Sequence, residues 1–92
     1  RESRRMTRYT VIVSPSAEKE LARVRDKVLN RRLKLAILAL GDDPRPEGCL
    51  KMKGAADQWR VRVGDWRIVY RIEDGRLVVV VVRVAPRSGV YG

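Results

Sequence analysis

Hydrophobic and polar residues alternate along two runs in the second half of the chain, residues 59–63 and 66–71, which meet at Gly64-Asp65. Glycine at the first position of a two-residue loop suits a type II′ turn, so these runs predict a β-hairpin. Residues that lie opposite each other then share a face of the sheet. One face is apolar, with Trp59, Val61, Val63, Trp66, Ile68 and Tyr70, and the other carries Arg60, Arg62, Arg67 and Arg71.

The side formed by these four arginines, here called the arginine face, carries an electrostatic cost. Arg62 and Arg67 lie opposite each other in the predicted register, and like charges across a ladder destabilise it on the scale of roughly 0.2–1 kcal/mol. We expect no acidic partner on this face, because Asp65 lies in the turn and Asp57 precedes the strand. The arginines form either an ordinary solvated surface or one whose repulsion a bound polyanion relieves.

The first half of the chain predicts a strand followed by a short helix. Residues 8–13 are rich in β-formers and end at Ser14, a good N-cap, and at Pro15, a good first helical residue. The helix continues over residues 17–24, and a break follows. The residues of this helix that we expect to face the core are Leu21 and Val24.

A second helix is predicted over residues 26–40, closing at Gly41. Its core-facing positions recur at helical spacing and are Leu29, Leu33, Ala36, Ile37 and Leu40. Residues 41–48 contain glycine, proline and aspartate and form a loop. They are not a domain linker, because only about 40 residues remain on either side, which is marginal for independent folding.

The predicted fold is α+β: an N-terminal strand, a two-helix hairpin and a three-stranded antiparallel meander, with both helices on the apolar sheet face. Asp74-Gly75 is expected to form the second tight turn and residues 76–84 the last strand. In that register Arg67 lies opposite Val82. Three valines, Val78, Val80 and Val82, then share the arginine face as an apolar stripe. The stripe is either a contact surface for a protein partner or the face of a central strand covered by the C-terminal tail.

Composition points to an anionic partner. The chain of 92 residues holds 21 Lys and Arg against 11 acidic residues, a net charge of +10. We expect residues 1–5 to precede a natural start at Met6 and residues 6–92 to form one domain; the three arginines and one glutamate of residues 1–5 contribute only +2. Such a balance favours nucleic acid or an acidic protein.

Other compositional features argue against a membrane or a secreted protein. The longest apolar run without glycine, residues 77–82, is far shorter than the roughly 20 residues needed to span a bilayer, and no secretory signal is apparent. The only cysteine, Cys49, cannot form an internal disulfide, which suits the cytoplasm.

The absence of histidine narrows the candidate chemistry. It excludes His-based acid–base catalysis, Ser-His-Asp and Cys-His machinery and the usual zinc sites. With one cysteine and no carboxylate cluster we expect no metal and no cofactor. Arginine, lysine and tyrosine remain, and guanidinium groups suit phosphodiester chemistry because they bind the negative charge that develops on phosphate oxygens.

Three sequence motifs follow the order of elements: Lys-Met-Lys-Gly (51–54), Trp-Arg-Val-Arg-Val-Gly-Asp-Trp-Arg-Ile-Val-Tyr (59–70) and a terminal Arg followed by Val-Tyr. In its motifs and its order of elements, the chain resembles the RelE/ParE superfamily of type II toxins over nearly all of residues 6–92. Resemblance to the RelE branch implies the RelE-like fold and a cytoplasmic, metal-independent endoribonuclease. Such toxins cut mRNA codons in the ribosomal A site by attack of a ribose 2′-hydroxyl on the adjacent phosphate. The implied partners are the 70S ribosome, mRNA and a cognate acidic antitoxin in a hetero-oligomer.

The same resemblance implies roles for individual residues. Arg60 and Arg62 occupy positions where RelE-type toxins carry lysines, one of them a candidate general base, and arginine is the poorer base. Arg67 matches the arginine that stabilises phosphate charge. Arg87 matches the candidate general acid, and Tyr91 matches a tyrosine that stacks on a substrate base, although a tyrosine so near a terminus is often simply frayed.

Other positions depart from the family pattern or have a second interpretation. Pro86 replaces a residue that is often His or Lys, and we expect no C-terminal helix of the kind that some relatives possess. Lys51 and Lys53 are either RNA-binding residues that contact ribosomal RNA or residues that favour solubility. Trp59 and Trp66 are expected in the core rather than as stacking platforms, because they share the apolar face.

Two other functions remain open. A ParE-like toxin that poisons DNA gyrase shares the fold but does not need the catalytic residues, and a non-catalytic module could simply bind RNA or the ribosome. Cleavage of mRNA requires the full set Arg60, Arg62, Arg67, Arg87 and Tyr91. Because every position of the set is filled by a suitable residue type, the sequence favours the endoribonuclease.

Overall fold

The computed structural model describes residues 8–54 and 57–86, and within them it confirms the α+β fold. A mixed sheet of five strands packs against two helices. The elements are β1 (Thr10–Val13), α1 (Pro15–Ala22), α2 (Lys27–Ala39), β2 (Leu50–Lys51), β3 (Gln58–Val63), β4 (Trp66–Glu73), a 3₁₀ turn (Asp74–Arg76) and β5 (Val78–Pro86). Neither helix within these residues has the length and apolar character needed to cross a membrane.

The strand order is β1-β5-β4-β3-β2, with β1 parallel to β5 and the other pairs antiparallel. The predicted meander is therefore present, and it gains a neighbour at each edge. β1 pairs Thr10 with Val78 and Val13 with Val81, which makes β5 a central strand. β2 was not expected, because two residues are too few to show an alternation.

Both helices begin at an N-capping side chain, of which the first, Ser14, was predicted. The Ser14 hydroxyl accepts a hydrogen bond from Ala17 N–H at 3.2 Å, and Pro15 is the first residue of α1. The Asp26 carboxylate accepts from the N–H groups of Val28 and Leu29 at 3.0 and 3.1 Å, at the start of α2. Each helix lies within about two residues of its predicted bounds.

The core lies between the helices and the apolar face of the hairpin. Its most buried members are Ala17, Leu33, Leu40, Ile68, Tyr70, Val79, Val81 and Val84. Trp59 and Trp66 pack against this cluster as half-buried residues, as predicted. The buried Tyr70 hydroxyl donates to the carbonyl of Pro44 at 2.8 Å, and burial raises the pKa of Tyr70.

The β3–β4 hairpin has the predicted register, with Val63 opposite Trp66 and Arg62 opposite Arg67. Gly64 adopts a positive φ of 59°, as the first position of a type II′ turn requires. Such a φ is readily available only to glycine. The tight turn therefore determines which residues of β3 and β4 face the helices.

The register predicted for β4 and β5 is wrong. Asp74-Gly75 is not a two-residue turn: the chain forms a 3₁₀ turn and places Leu77 in the left-handed region with φ of 53°, so that Glu73 lies opposite Val78. A β-bulge between Val69 and Tyr70 shifts the pairing once more. Arg67 consequently lies opposite Ala85 rather than Val82.

The apolar stripe on the arginine face is nevertheless present. Val78 and Val80 lie opposite Glu73 and Arg71 and so share their face. The interpretation of β5 as a central strand is confirmed. The C-terminal tail that was expected to cover it, residues 87–92, lies outside the described residues.

Where β1 ends, residues of the β1–α1 connection and of α1 provide hydrogen-bond partners for β5. Ser14 N–H donates to the carbonyl of Val81 at 2.9 Å, which extends the parallel pairing by one residue. Beyond it, one oxygen of the Glu20 carboxylate accepts from Val84 N–H at 2.7 Å, and the other accepts from Arg83 Nε at 3.2 Å. The carboxylate thus satisfies a buried backbone donor that a longer β1 would have paired.

We predict that Glu20→Ala lowers the free energy of unfolding by about 1–3 kcal/mol, because Val84 N–H is left buried without an acceptor. Glu20→Gln keeps an acceptor and should recover most of that loss. Urea unfolding of the three chains measures the difference. Glu47→Ala removes an equivalent charge from an exposed loop position and should cost less than about 0.5 kcal/mol. An equal loss in the two alanine variants would contradict this role for Glu20.

Candidate functional site

The arginine face is present on the side of the sheet away from the helices. Arg62 lies opposite Arg67, Arg60 opposite Val69 and Arg71 opposite Gln58. Arg60, Arg67 and Arg71 are partly buried, whereas Arg62 is exposed. The alternation read from the sequence therefore places four guanidinium groups on one surface.

The expectation that no acidic residue pairs with these arginines is wrong for Arg71. Glu73 lies two residues further along β4, on the same face, and accepts from Arg71 at 3.1 Å and from Arg76 at 2.9 Å. Arg71 and then Arg76 lower the pKa of the Glu73 carboxyl. The strand predicted from the sequence ends at Arg71, before Glu73, so this acidic residue was not assigned to the arginine face.

Three arginines converge on one cavity. The cavity has a volume of about 210 Å³ and is lined by Gly48, Leu50, Arg60, Val61, Arg62 and Arg67. Within residues 8–54 and 57–86, neither Arg60 nor Arg62 forms an ion pair. Arg62 Nε instead donates to the carbonyl of Gly64 at 3.1 Å, which holds its guanidinium near the turn. The cavity is therefore suited to an anion with several oxygen acceptors, such as a phosphate.

The two candidate lysines lie apart from this cavity. Lys51 pairs with Trp59 and so belongs to the opposite face of the sheet from the arginines. Lys53 is exposed in the turn that follows β2. The structure thus brings together Arg60, Arg62 and Arg67 without the lysines.

The last two candidate residues, Arg87 and Tyr91, lie outside the described residues. The described part of the chain ends at Pro86, which pairs with Trp66 beside the hairpin turn. Among the described residues no group of three or more His, Cys, Asp or Glu side chains is placed to hold a metal ion.

A cluster of side chains that the sequence did not reveal holds the loop that precedes Gly48. Arg45 contacts Asp74 through two hydrogen bonds of 3.3 and 2.9 Å, and the Tyr9 hydroxyl donates to the same carboxylate at 2.6 Å. The Arg45 guanidinium also lies 5.1 Å from the ring centroid of Trp59. These contacts hold the loop of residues 41–48 against β3 and against the turn between β4 and β5.

Hydrogen bonding within this cluster shifts two pKa values in opposite directions. Arg45 and then Tyr9 lower the pKa of the Asp74 carboxyl, and the hydrogen bond to Asp74 raises the pKa of Tyr9. The residues are far apart in the chain, and no local pattern links them. No signal in the sequence therefore indicates the cluster.

The sequence matches a family model of toxins, and its similar relatives are toxins as well. Residues 11–91 match the family model described as ParE toxin of type II toxin-antitoxin system, parDE. The chain is 29% identical over 83 residues to Toxin RelG of Mycobacterium tuberculosis, which covers 90% of this chain and 95% of the relative.

Solved structures agree with the sequence matches. The RelE–RelB complex of the archaeon Pyrococcus horikoshii OT3 aligns with a TM-score of 0.75 at 25% identity, covering 86% of this chain and 94% of that chain. The isolated RelE toxin of E. coli aligns with a TM-score of 0.72 at 29% identity, covering 90% of each chain.

We predict that the Asp74 cluster weakens on acidification. Because the folded-state pKa of Asp74 is lowered, its contribution to stability is complete above its ordinary pKa of about 3.9 and is lost as the pH falls through the folded-state value. The difference in unfolding free energy between the parent and Asp74→Asn should therefore be present at neutral pH and shrink below about pH 4. Urea unfolding across this pH range measures it.

Asp65→Asn is the matched control, since Asp65 is exposed in the hairpin turn and makes no ion pair among the described residues. In chains that also carry Trp66→Phe, Trp59 is the one remaining tryptophan. Its fluorescence emission then follows unfolding in the region of the nearby Arg45 guanidinium. A stability difference for Asp74→Asn that stays constant with pH would contradict the role of the ionised carboxylate.

Proposed function

The chain belongs to the ParE toxin family of type II toxin–antitoxin systems, and we propose that it is a cytoplasmic, ribosome-dependent mRNA endonuclease of the RelE type. The observation that carries the proposal is the cavity on which Arg60, Arg62 and Arg67 converge. Residues 6–92 form the single toxin domain in this proposal. RelE and RelG toxins among the relatives favour the same branch of the superfamily.

In the proposed reaction the cavity binds the phosphate that is cleaved. The ribose 2′-oxygen attacks the adjacent phosphorus and loses its proton to a base, while the bond to the 5′-oxygen breaks and that oxygen receives a proton. Negative charge grows on the non-bridging oxygens as the new bond forms. Arg67, supported by Arg60 and Arg62, stabilises that charge through charge-assisted hydrogen bonds.

The remaining roles follow the family resemblance. Arg87 donates the proton to the departing oxygen, and Tyr91 stacks on a base of the bound codon. No metal or other cofactor takes part. Because the chain has no histidine, proton transfer relies on weaker acids and bases, and we propose that the ribosome compensates by positioning the mRNA strand.

Ribosome binding is proposed to use a different surface from catalysis. The net charge of +10 favours association with RNA through counterion release. Lys51 and Lys53 lie near the β2 edge of the sheet, and Lys51 is on the face opposite the arginines. Contact between these lysines and ribosomal RNA would leave the arginine face open to mRNA.

The proposed protein partner is a cognate acidic antitoxin, with which the chain forms a hetero-oligomer. RelE–RelB complexes among the similar structures support this partnership. An acidic segment would neutralise the arginine face, and apolar side chains of the same segment would cover the stripe that contains Val78 and Val80.

A gyrase-poisoning toxin is the second candidate function, since the matching family model carries the ParE name. Such a toxin needs the fold but not the convergence of Arg60, Arg62 and Arg67. A module that binds RNA or the ribosome without cleavage is a third, and it would keep the basic surface while losing turnover.

We predict that the parent chain produces codon-phased cuts in mRNA when added to a translating extract, as mapped by primer extension. Arg67→Ala should reduce cleavage by about 10²–10³-fold, because it removes one donor to the transition-state charge. Arg31→Ala removes the same charge from an exposed position on α2 and should keep parental cleavage. Unfolding curves of both variants confirm that each is folded.

Three results would contradict the proposal. Codon-phased cuts that survive Arg67→Ala would remove Arg67 from the reaction. An absence of cuts together with inhibition of gyrase supercoiling would favour the ParE-like function, whereas ribosome binding without either activity would favour the non-catalytic module.

A further inference from the structure

A second cavity lies beside the arginine cavity on the same face of the sheet. Its volume is about 380 Å³, and its lining residues are Met52, Gln58, Val69, Val82, Arg83 and Ala85. Val69 lies opposite Arg60, and Ala85 lies opposite Arg67. The two cavities are therefore separated by about one pair of side chains along the strands.

The β-bulge forms part of this second cavity. Val69 pairs with Arg83 and Tyr70 pairs with Val81, so Val82 has no residue opposite it on β4. Val69 and Ala85 are buried, and Met52 and Val82 are half-buried. The cavity consequently has apolar walls on a surface that is otherwise strongly basic.

Two polar side chains border the apolar walls. Gln58 is half-buried, and its carboxamide makes no hydrogen bond to any described residue. Arg83 Nε is held by Glu20 at 3.2 Å, which orients the guanidinium at the rim. A carboxamide with both donor and acceptor atoms can read the edge of a base, and a guanidinium plane can stack on one.

We propose that this cavity binds one nucleobase of the RNA strand whose phosphate lies in the arginine cavity, and that Gln58 reads the edge of that base. The inference rests on the proposed function for its substrate class. Arg67 and Val69 are two residues apart on β4, or about 6.6 Å, so a base next to the bound phosphate is within reach. The flanking arginines favour a strand with phosphate charge over an apolar peptide side chain.

Binding tests the proposal without cleavage. The full chain is titrated at low salt with short single-stranded RNAs that carry each of the four bases, or an abasic site, at one position in turn. For the parent we expect one position at which the preferred base binds about tenfold more tightly than the others. In Gln58→Ala this preference should fall below about twofold, while the other positions keep their parental values.

Ile12→Ala is the matched control, since Ile12 is an exposed apolar residue on the same sheet face, outside the cavity. It should keep the parental base preference, whereas Met52→Ala, which removes a wall, should reduce it. Equal preferences in the parent and Gln58→Ala, with both chains folded, would overturn the proposal.

Cleavage separates this inference from the proposed function. In a translating extract Gln58→Ala should redistribute cuts among codons, whereas Arg67→Ala should suppress them at every codon. A parental codon pattern in Gln58→Ala would overturn the base cavity and leave the endonuclease intact. Loss of antitoxin binding in Gln58→Ala and Met52→Ala, without any change toward RNA, would assign the cavity to a protein side chain and overturn the proposal.

Discussion

The arginine face depends on the type II′ turn at Gly64-Asp65. A two-residue loop permits a single register, and a slip of one residue would exchange the two faces of the hairpin. The turn thereby places Trp59, Val61 and Ile68 against the helices and the arginines on the other side. Packing and electrostatics are coupled through it, because burial of the apolar face forces guanidinium groups together despite their repulsion.

Features that depend on neighbouring residues were predictable from the sequence, and features that depend on distant contacts were not. Alternation and the Gly-Asp turn were enough for the β3–β4 register, and Ser14 with Pro15 was enough for the start of α1. The β4–β5 turn contains the same two residue types in the reverse order, Asp74-Gly75, but is longer, and its Asp74 carboxylate binds Tyr9 and Arg45, 65 and 29 residues away. For the candidate site, the placement of the arginines on one face was predictable from the alternation. The pairing of Arg71 with Glu73 and the second cavity were not, because they depend on where β4 ends and on the β-bulge.

The bulge gives the arginine side of the sheet its asymmetry. A regular β5 would continue the stripe of valines as a flat surface, whereas the extra residue, Val82, opens a recess next to Arg67. On the other edge of β5, the end of β1 leaves backbone groups without a neighbouring strand, and Glu20 satisfies one of them through Val84 N–H. The same carboxylate accepts from Arg83 Nε and orients Arg83 at the rim of the recess.

The charges on this surface are only partly compensated among the described residues. Glu73 compensates Arg71, while Arg60 and Arg62 have no carboxylate partner among the described residues. An anion bound beside Arg60 and Arg62 would supply the opposite charge that these two groups lack among the described residues, and would offset the repulsion between Arg62 and Arg67. In the proposed function, RNA phosphates and the acidic side chains of an antitoxin would both supply that charge. Competition between them for one set of guanidinium groups would then be a direct physical basis for neutralisation of the toxin by its antitoxin.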